Sequence, residues 1–175
     1  MLLLLVLLAA VLFAGIAMTI GEGLWSNTVA LLLILLSGMI AQYNGRVLGA
    51  WGFQQVGSDD SFAWYFDFAG IWGVFSASLA IFRVYADTVS RTRMRFLPVI
   101  EKIGGPLMGI FVAVMFTSFA TCTLLIPVGA GQWNLPEASE SQQSTFLYMT
   151  SPFTTVVKRF ESAYQGAAPN VPKGE

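Results

Sequence analysis

Glu22 and Asp67 are the two acidic residues that lie in or beside the most apolar segments of this sequence. A charged side chain at the centre of a membrane helix costs about 2.5–3.5 kcal/mol on insertion scales, so such residues face water-filled cavities or partners. Two interpretations follow. Glu22 and Asp67 either reach headgroup water at the ends of helices, or line a polar path for a proton or an ion. We expect them near opposite ends of the helices and not in contact.

Other groups that do chemistry are scarce in this chain. The sequence has no histidine and one cysteine, Cys122, which excludes His-based acid–base catalysis, Ser-His and Cys-His pairs, and Cys/His metal sites. The hydroxyl groups of Ser118, Thr121 and Thr123 have no basic residue near them in sequence, and hydroxyls in helices often bond back to helix carbonyls. We therefore predict that the chain is not an enzyme and has no catalytic, cofactor-binding or metal-binding residues.

The composition predicts a protein embedded in a membrane. Apolar residues make up 55% of the chain and charged residues 11%, whereas roughly 25% of the residues of a soluble domain are charged. The net charge is −1, so no polycationic surface is available for nucleic acid. The expected partner is the lipid bilayer, together with further copies of the chain or other membrane proteins.

Four segments are apolar and long enough to cross the hydrocarbon of a bilayer, which takes about 20 residues. They cover about residues 1–20, 24–41, 62–82 and 104–126. Gly21–Gly23 alone joins the first two, so these should form an antiparallel hairpin. In an alternative interpretation the first segment is a cleaved signal peptide, with a cut near Ala14 or Ala17. Against it, no basic residue precedes the apolar core, which is also too long.

The composition of the sequence changes after residue 130, where the long apolar segments end. We predict a four-helix transmembrane domain over 1–130 and an extramembrane tail over 131–175 that holds an amphipathic helix at about 152–165. Ser151 and Pro152 resemble an N-cap followed by proline at the first helical position. Apolar residues recur at helical spacing from Phe153 onward, so this helix either lies on the membrane surface or packs on the bundle. The predicted fold class is thus an all-α polytopic membrane protein with a short C-terminal amphipathic helix.

Small residues mark the faces on which membrane helices pack, because association in lipid depends on close approach of the backbones. The third span carries such residues in a stripe, and the fourth span begins with a GxxxG motif that continues into an alanine. We predict six helix-packing residues: Gly70, Gly73, Ala77, Gly105, Gly109 and Ala113. The contacts are expected within the chain; the alternative is a face for a dimer or another partner.

Basic residues predict the orientation, because cytoplasmic loops are enriched in Lys and Arg near helix ends. Five of the nine basic residues fall in one short segment: Arg83, Arg91, Arg93, Arg95 and Lys102. We therefore expect the loop 83–103 to be cytoplasmic and both termini to lie on the opposite side. The same residues are expected to hold this loop at the level of the lipid headgroups, with either a purely topological role or specific binding of anionic lipid.

Three consecutive stretches between Phe66 and Gly129 form a recognisable series. An apolar span (DFAGIWGVFSASLAIF) is followed by a basic connector (RVYADTVSRTRMRF) and by EKIGGPLMGIFVAVMFTSFATCTLLIP, which combines a charged residue, a GxxxG helix start and a long last span. This series resembles the CvpA family, the colicin V production proteins of bacterial inner membranes. The hairpin IGEGLWSNTVALLL is also similar, although Gly21–Gly23 stands where the family usually has Arg-Gly. The likeness covers about residues 1–130.

The resemblance implies a polytopic inner-membrane protein involved in toxin (colicin V) production or secretion and in envelope homeostasis. It brings no catalytic residues to this chain. The residues themselves leave two alternatives open, namely a small accessory subunit of a larger membrane complex and an oligomeric channel or transporter.

Overall fold

The computed structural model describes residues 2–56, 62–89, 98–129 and 140–167, and the fold of these residues is all-helical, as predicted. The five helices are α1 (Leu2–Thr19), α2 (Leu24–Val56), α3 (Ala63–Val89), α4 (Pro98–Gly129) and α5 (Glu140–Ala167). Three helices are long and apolar enough to cross a membrane, over Leu24–Val56, Ala63–Thr88 and Ile100–Ile126. Helix α1 is apolar over Leu4–Thr19, a segment shorter than those three.

Helix α2 is much longer than the sequence predicted. The apolar run stops near Ala41, but the helix continues to Val56 through polar residues such as Arg46. The reason is that one face of the extension packs on α3 through small residues. A methyl group at Gly45 or Gly49 would overlap the α3 backbone, so the two backbones are in direct contact. The hydropathy of the sequence predicted the end of the apolar segment near Ala41, but the helix itself ends later, at Val56.

Helix α1 packs along α4 rather than along α2. The expected tight turn at Gly21–Gly23 is present, but the expected hairpin packing of α1 on α2 is not. Small residues on both helices explain this choice, since a methyl group at Gly15 would lie 3.0 Å from the Cβ of Ala113. Close approach of this kind is how helices associate in lipid.

An aromatic cluster fills the space between α2, α3, α4 and α5. Phe75 stacks on Phe119 with ring centroids 4.5 Å apart, and Trp72 meets both rings edge-on at 5.8 and 5.9 Å. Phe153 of α5 meets Phe119 at 5.2 Å. Ala41 of α2 is buried in the same cluster, which therefore holds four helices together.

Helix α5 begins at Glu140, with Pro152 in its interior, so the prediction that it starts at Ser151 and Pro152 is wrong. Pro152 has no N–H to give to the Tyr148 carbonyl, and the Ser151 hydroxyl donates to that carbonyl instead, at 2.9 Å. With this substitute bond the helix continues through the proline. Phe146 and Phe153 are buried against the other helices, so α5 packs on the bundle, which was one of its two predicted placements.

Candidate functional site at the turn between α1 and α2

The α1–α2 turn and the first turns of α4 line a wide-open surface cavity of about 470 Å³. We term this cavity the vestibule. Its lining is Ile20, Gly21, Glu22, Gly23, Glu101, Lys102 and Pro106. The vestibule brings together two residues that the sequence had singled out separately, Glu22 as an acidic residue beside the membrane and Lys102 as a headgroup residue. It adds Glu101, to which the sequence gave no role.

The charged groups of the vestibule do not neutralise one another. Glu22 and Lys102 are exposed and Glu101 is half-buried. No ion pair joins Lys102 to either carboxylate. Gly23 lets Glu101 approach the turn, because a methyl group there would lie 3.1 Å from Glu101 Oε1. Two carboxylates and one ammonium group thus share one cavity at the start of α4.

Pro106 lines the vestibule and interrupts the backbone hydrogen bonding of α4. It lies inside α4 and has no N–H, so it cannot donate to the carbonyl four residues earlier in the helix. That carbonyl belongs to Lys102, which lines the same cavity as Pro106. The Lys102 carbonyl therefore lacks the N–H donor that a regular helix would supply at this position.

Asn27 holds the turn on α4 and was not singled out by the sequence. Its side chain is 1% exposed. Its Nδ2 donates to the Thr19 carbonyl and to the Gly105 carbonyl, at 3.0 Å each, with a longer contact of 3.4 Å to the Glu22 carbonyl. The signal in the sequence was a lone amide in an apolar run, which has to find partners when it is buried.

The predicted GxxxG stripe lies under this turn. A methyl group at Gly105 would lie 3.0 Å from the Glu22 carbonyl oxygen, and one at Gly109 would lie 2.9 Å from the Thr19 carbonyl oxygen. The Thr19 hydroxyl also donates to the Gly109 carbonyl at 2.9 Å. Together with Ala113, which meets Gly15, these glycines let α1 and the turn reach the α4 backbone.

The three small residues predicted to pack on the third span, Gly70, Gly73 and Ala77, differ in their surroundings. Gly70 faces α2, where a methyl group would overlap the Gly45 carbonyl oxygen, but a methyl group at Gly73 would meet nothing within 4 Å. Gly73 and Ala77 are both exposed. Among the described residues, the expectation that Gly73 and Ala77 pack within the chain is therefore wrong, although both follow Gly70 at helical spacing. The alternative, a face for a dimer or another partner, stays a prediction.

Asp67 lies far from the vestibule. Its Cα would approach a methyl group at Gly49, near the end of α2, while Glu22 precedes the start of α2 at Leu24. At 1.5 Å per residue, these points are separated by about 37 Å along the helix. Glu22 and Asp67 therefore do not form one polar site, in agreement with the expectation that they lie near opposite ends of the helices.

The predicted headgroup residues have different surroundings. Arg83 pairs with Asp87 at 3.4 Å on the exposed surface of α3. Lys102 lines the vestibule. Arg91, Arg93 and Arg95 lie outside the described residues, and their role stays a prediction.

The hydroxyls of α4 bond largely within the helix. Thr121 donates to the Thr117 carbonyl and Thr123 to the Ala120 carbonyl, at 2.7 Å each. Ser118 is different, because it contacts α5, and the sequence gave no sign of this. Within the described ranges, no three His, Cys, Asp or Glu side chains are grouped to hold a metal ion.

No protein-family model, curated protein or solved structure matches this chain.

Proposed function

We propose that this chain is a non-enzymatic multi-pass protein of the bacterial inner membrane, in which α1, α2, α3 and α4 cross the bilayer. Three of these helices have the length and composition of membrane spans. The apolar α1 lies against α4, and a position beside a spanning helix supports a fourth crossing.

The observation that carries the proposal is the apolar outer surface of these helices. Phe13 is 72% exposed and Met18 is 80% exposed. Large apolar side chains are exposed on the other helices as well, among them Leu32, Val47, Ile81, Leu107 and Phe111. Soluble monomers rarely expose large contiguous apolar patches, whereas lipid tails solvate such side chains.

The proposed orientation puts the vestibule on the cytoplasmic side. The positive-inside rule favours a cytoplasmic position for the loop 83–103, which leads into α4 at Pro98. The start of α4 and the α1–α2 turn line the same cavity, so they share that side. The far ends of α2 and α4 would then face the periplasm.

The aromatic cluster supports a scaffolding role rather than transport. Rings of Trp72, Phe75, Phe119 and Phe153 occupy the space between the helices. A protein built in this way acts through its surfaces, as an accessory protein that contacts other membrane proteins or further copies of itself. The CvpA-like sequence pattern favours roles in toxin production or secretion and in envelope homeostasis, and it is the sole support for those roles.

Reconstitution in liposomes tests whether the chain is an accessory protein or a channel or transporter. Proteoliposomes of the full chain should show the same proton and ion leak as protein-free liposomes. A flux above that background, abolished by Asp67→Asn, would support the channel or transporter alternative instead. Purification from the native membrane in mild detergent tests the remaining alternative, since a foreign subunit at fixed stoichiometry would identify the chain as part of a larger complex.

A further inference from the structure

We infer that the vestibule binds the headgroup of a phospholipid that carries both a phosphate and a primary ammonium group, the phosphatidylethanolamine class. The inference rests on the membrane placement proposed above and adds a ligand to it. The sequence alone predicted only basic residues at this level, which would favour anionic lipid. The structure places two carboxylates beside one of those basic residues.

The charges of the vestibule complement a zwitterion. The Glu22 and Glu101 carboxylates are acceptors, and a primary ammonium group has three N–H donors for them. Among the residues that the structure describes, no carboxylate pairs with the Lys102 ammonium group, which can therefore pair with a phosphate. Charge-assisted hydrogen bonds of both kinds are stronger than neutral ones.

Other common headgroups match this cavity less well. A headgroup with only a negative charge would meet one cation and two carboxylates, so repulsion opposes it. A choline headgroup has no N–H to donate, and proteins recognise quaternary ammonium groups with aromatic faces. Carboxylates, glycines, isoleucine and proline line the vestibule beside the lysine, which favours the primary ammonium.

The position of the vestibule also suits a lipid. On α4, the neighbouring residues Ile103 and Leu107 are each 67% exposed. These two side chains lie one turn apart next to Lys102 and Pro106, where they offer an apolar surface to the acyl chains of a lipid whose headgroup occupies the vestibule.

Native mass spectrometry of the full chain in a neutral detergent tests the inference. The protein is titrated separately with phosphatidylethanolamine, phosphatidylglycerol and phosphatidylcholine of identical acyl chains. We expect the ethanolamine lipid to bind about tenfold more tightly than the other two, which corresponds to about 1.4 kcal/mol. Equal retention of the three lipids, or preference for either of the others, would overturn the inference.

Variants locate the site. The double substitution of Glu22→Gln with Glu101→Gln should reduce the affinity for the ethanolamine lipid about tenfold, since each removes a charge-assisted bond. Lys102→Gln should also reduce it. Asp67→Asn, at the other end of the bundle, is the matched control and should leave binding unchanged. Circular dichroism and the Tm of each variant show that the fold is kept; unchanged affinity in folded vestibule variants contradicts the inference.

Competition with soluble phosphoethanolamine tests whether the ligand is a lipid or a free metabolite that carries the same phosphate and ammonium groups. We expect phosphoethanolamine to compete poorly, because it has no acyl chains for Ile103 and Leu107. Competition at concentrations equal to the lipid would overturn the assignment to a lipid. If the chain remains folded and soluble without detergent, the proposed membrane placement itself is wrong. If the chain is membrane-bound but shows no headgroup preference, only this inference is wrong.

Discussion

The Asn27 amide donates a hydrogen bond to the Gly105 carbonyl at 3.0 Å, across the contact between the start of α2 and the first turns of α4. The same amide group donates to the Thr19 carbonyl at the end of α1. One buried side chain thus ties three helices together at the α1–α2 turn. The GxxxG stripe makes this possible, because a side chain at Gly105 would collide with the turn.

Asn27→Ala should destabilise the bundle by about 1–3 kcal/mol, because it removes two hydrogen bonds, one buried and one partly buried, at roughly 0.5–1.5 kcal/mol each. The measurement is the free energy of unfolding in mixed detergent micelles. Asn44→Ala is the control, since Asn44 is exposed and its side chain donates to the Ile40 carbonyl of its own helix. Equal effects of the two substitutions would show that the Asn27 bonds do not hold the turn.

Gly70→Ala and Gly73→Ala should behave differently although both glycines are on α3. The added methyl at position 70 overlaps the α2 backbone, whereas the one at position 73 meets open space. We expect Gly70→Ala to cost about 1–3 kcal/mol, as overpacking does, and Gly73→Ala to be neutral or slightly stabilising. Thermal unfolding in detergent measures both. A larger loss for Gly73→Ala would contradict the arrangement of α2 and α3.

Ser118 and Pro152 should be energetically coupled. The Ser118 hydroxyl accepts from the Phe153 N–H at 2.9 Å and donates to the Thr150 carbonyl at 3.1 Å, on either side of the proline. Ser118→Ala should cost about 1–3 kcal/mol in the native sequence. In a Pro152→Ala background the helix can recover its own bonds, so Ser118→Ala should cost less. A double-mutant cycle measures the difference, and strictly additive effects would exclude the coupling.

Phe153→Ala tests whether α5 belongs to the bundle. Phe153 is 1% exposed, while Phe160 on the same helix is 56% exposed. Truncation of the buried ring should cost about 3–5 kcal/mol and should speed proteolysis of the tail. Phe160→Ala serves as the control and should have a small effect. Small effects from both would indicate that α5 does not pack on the other helices.

The all-helical fold could be predicted from the sequence because the apolar segments are long and their composition permits little else. The ends of α2 and α5 could not. Hydropathy falls after Ala41, but Gly45 and Gly49 extend α2 by backbone contact with α3. Ser151 and Pro152 look like a helix start, and the bond from Ser151 to the Tyr148 carbonyl that lets the helix continue is not visible in the sequence.

The candidate site was predictable only in parts. Glu22 and Lys102 stood out as charges beside apolar segments, but they are far apart in sequence, and α1 had to pack on α4 for them to share a cavity. Gly105 and Gly109 were predicted as contact residues from their spacing alone. The same reasoning failed for Gly73 and Ala77, because a stripe of small residues does not reveal how far along a helix a neighbour covers it.

Cysteine labelling in intact cells tests most directly the central claim, that the helices cross a bilayer with the loop 83–103 inside. Single cysteines replace Arg93 and Gln54 in a Cys122→Ala background. Gln54 is exposed near the far end of α2. A membrane-impermeant thiol reagent should label the cysteine at position 54 from outside the inner membrane, and the one at position 93 only after lysis. Labelling of both from the same side, or recovery of both in the soluble fraction, would contradict the account.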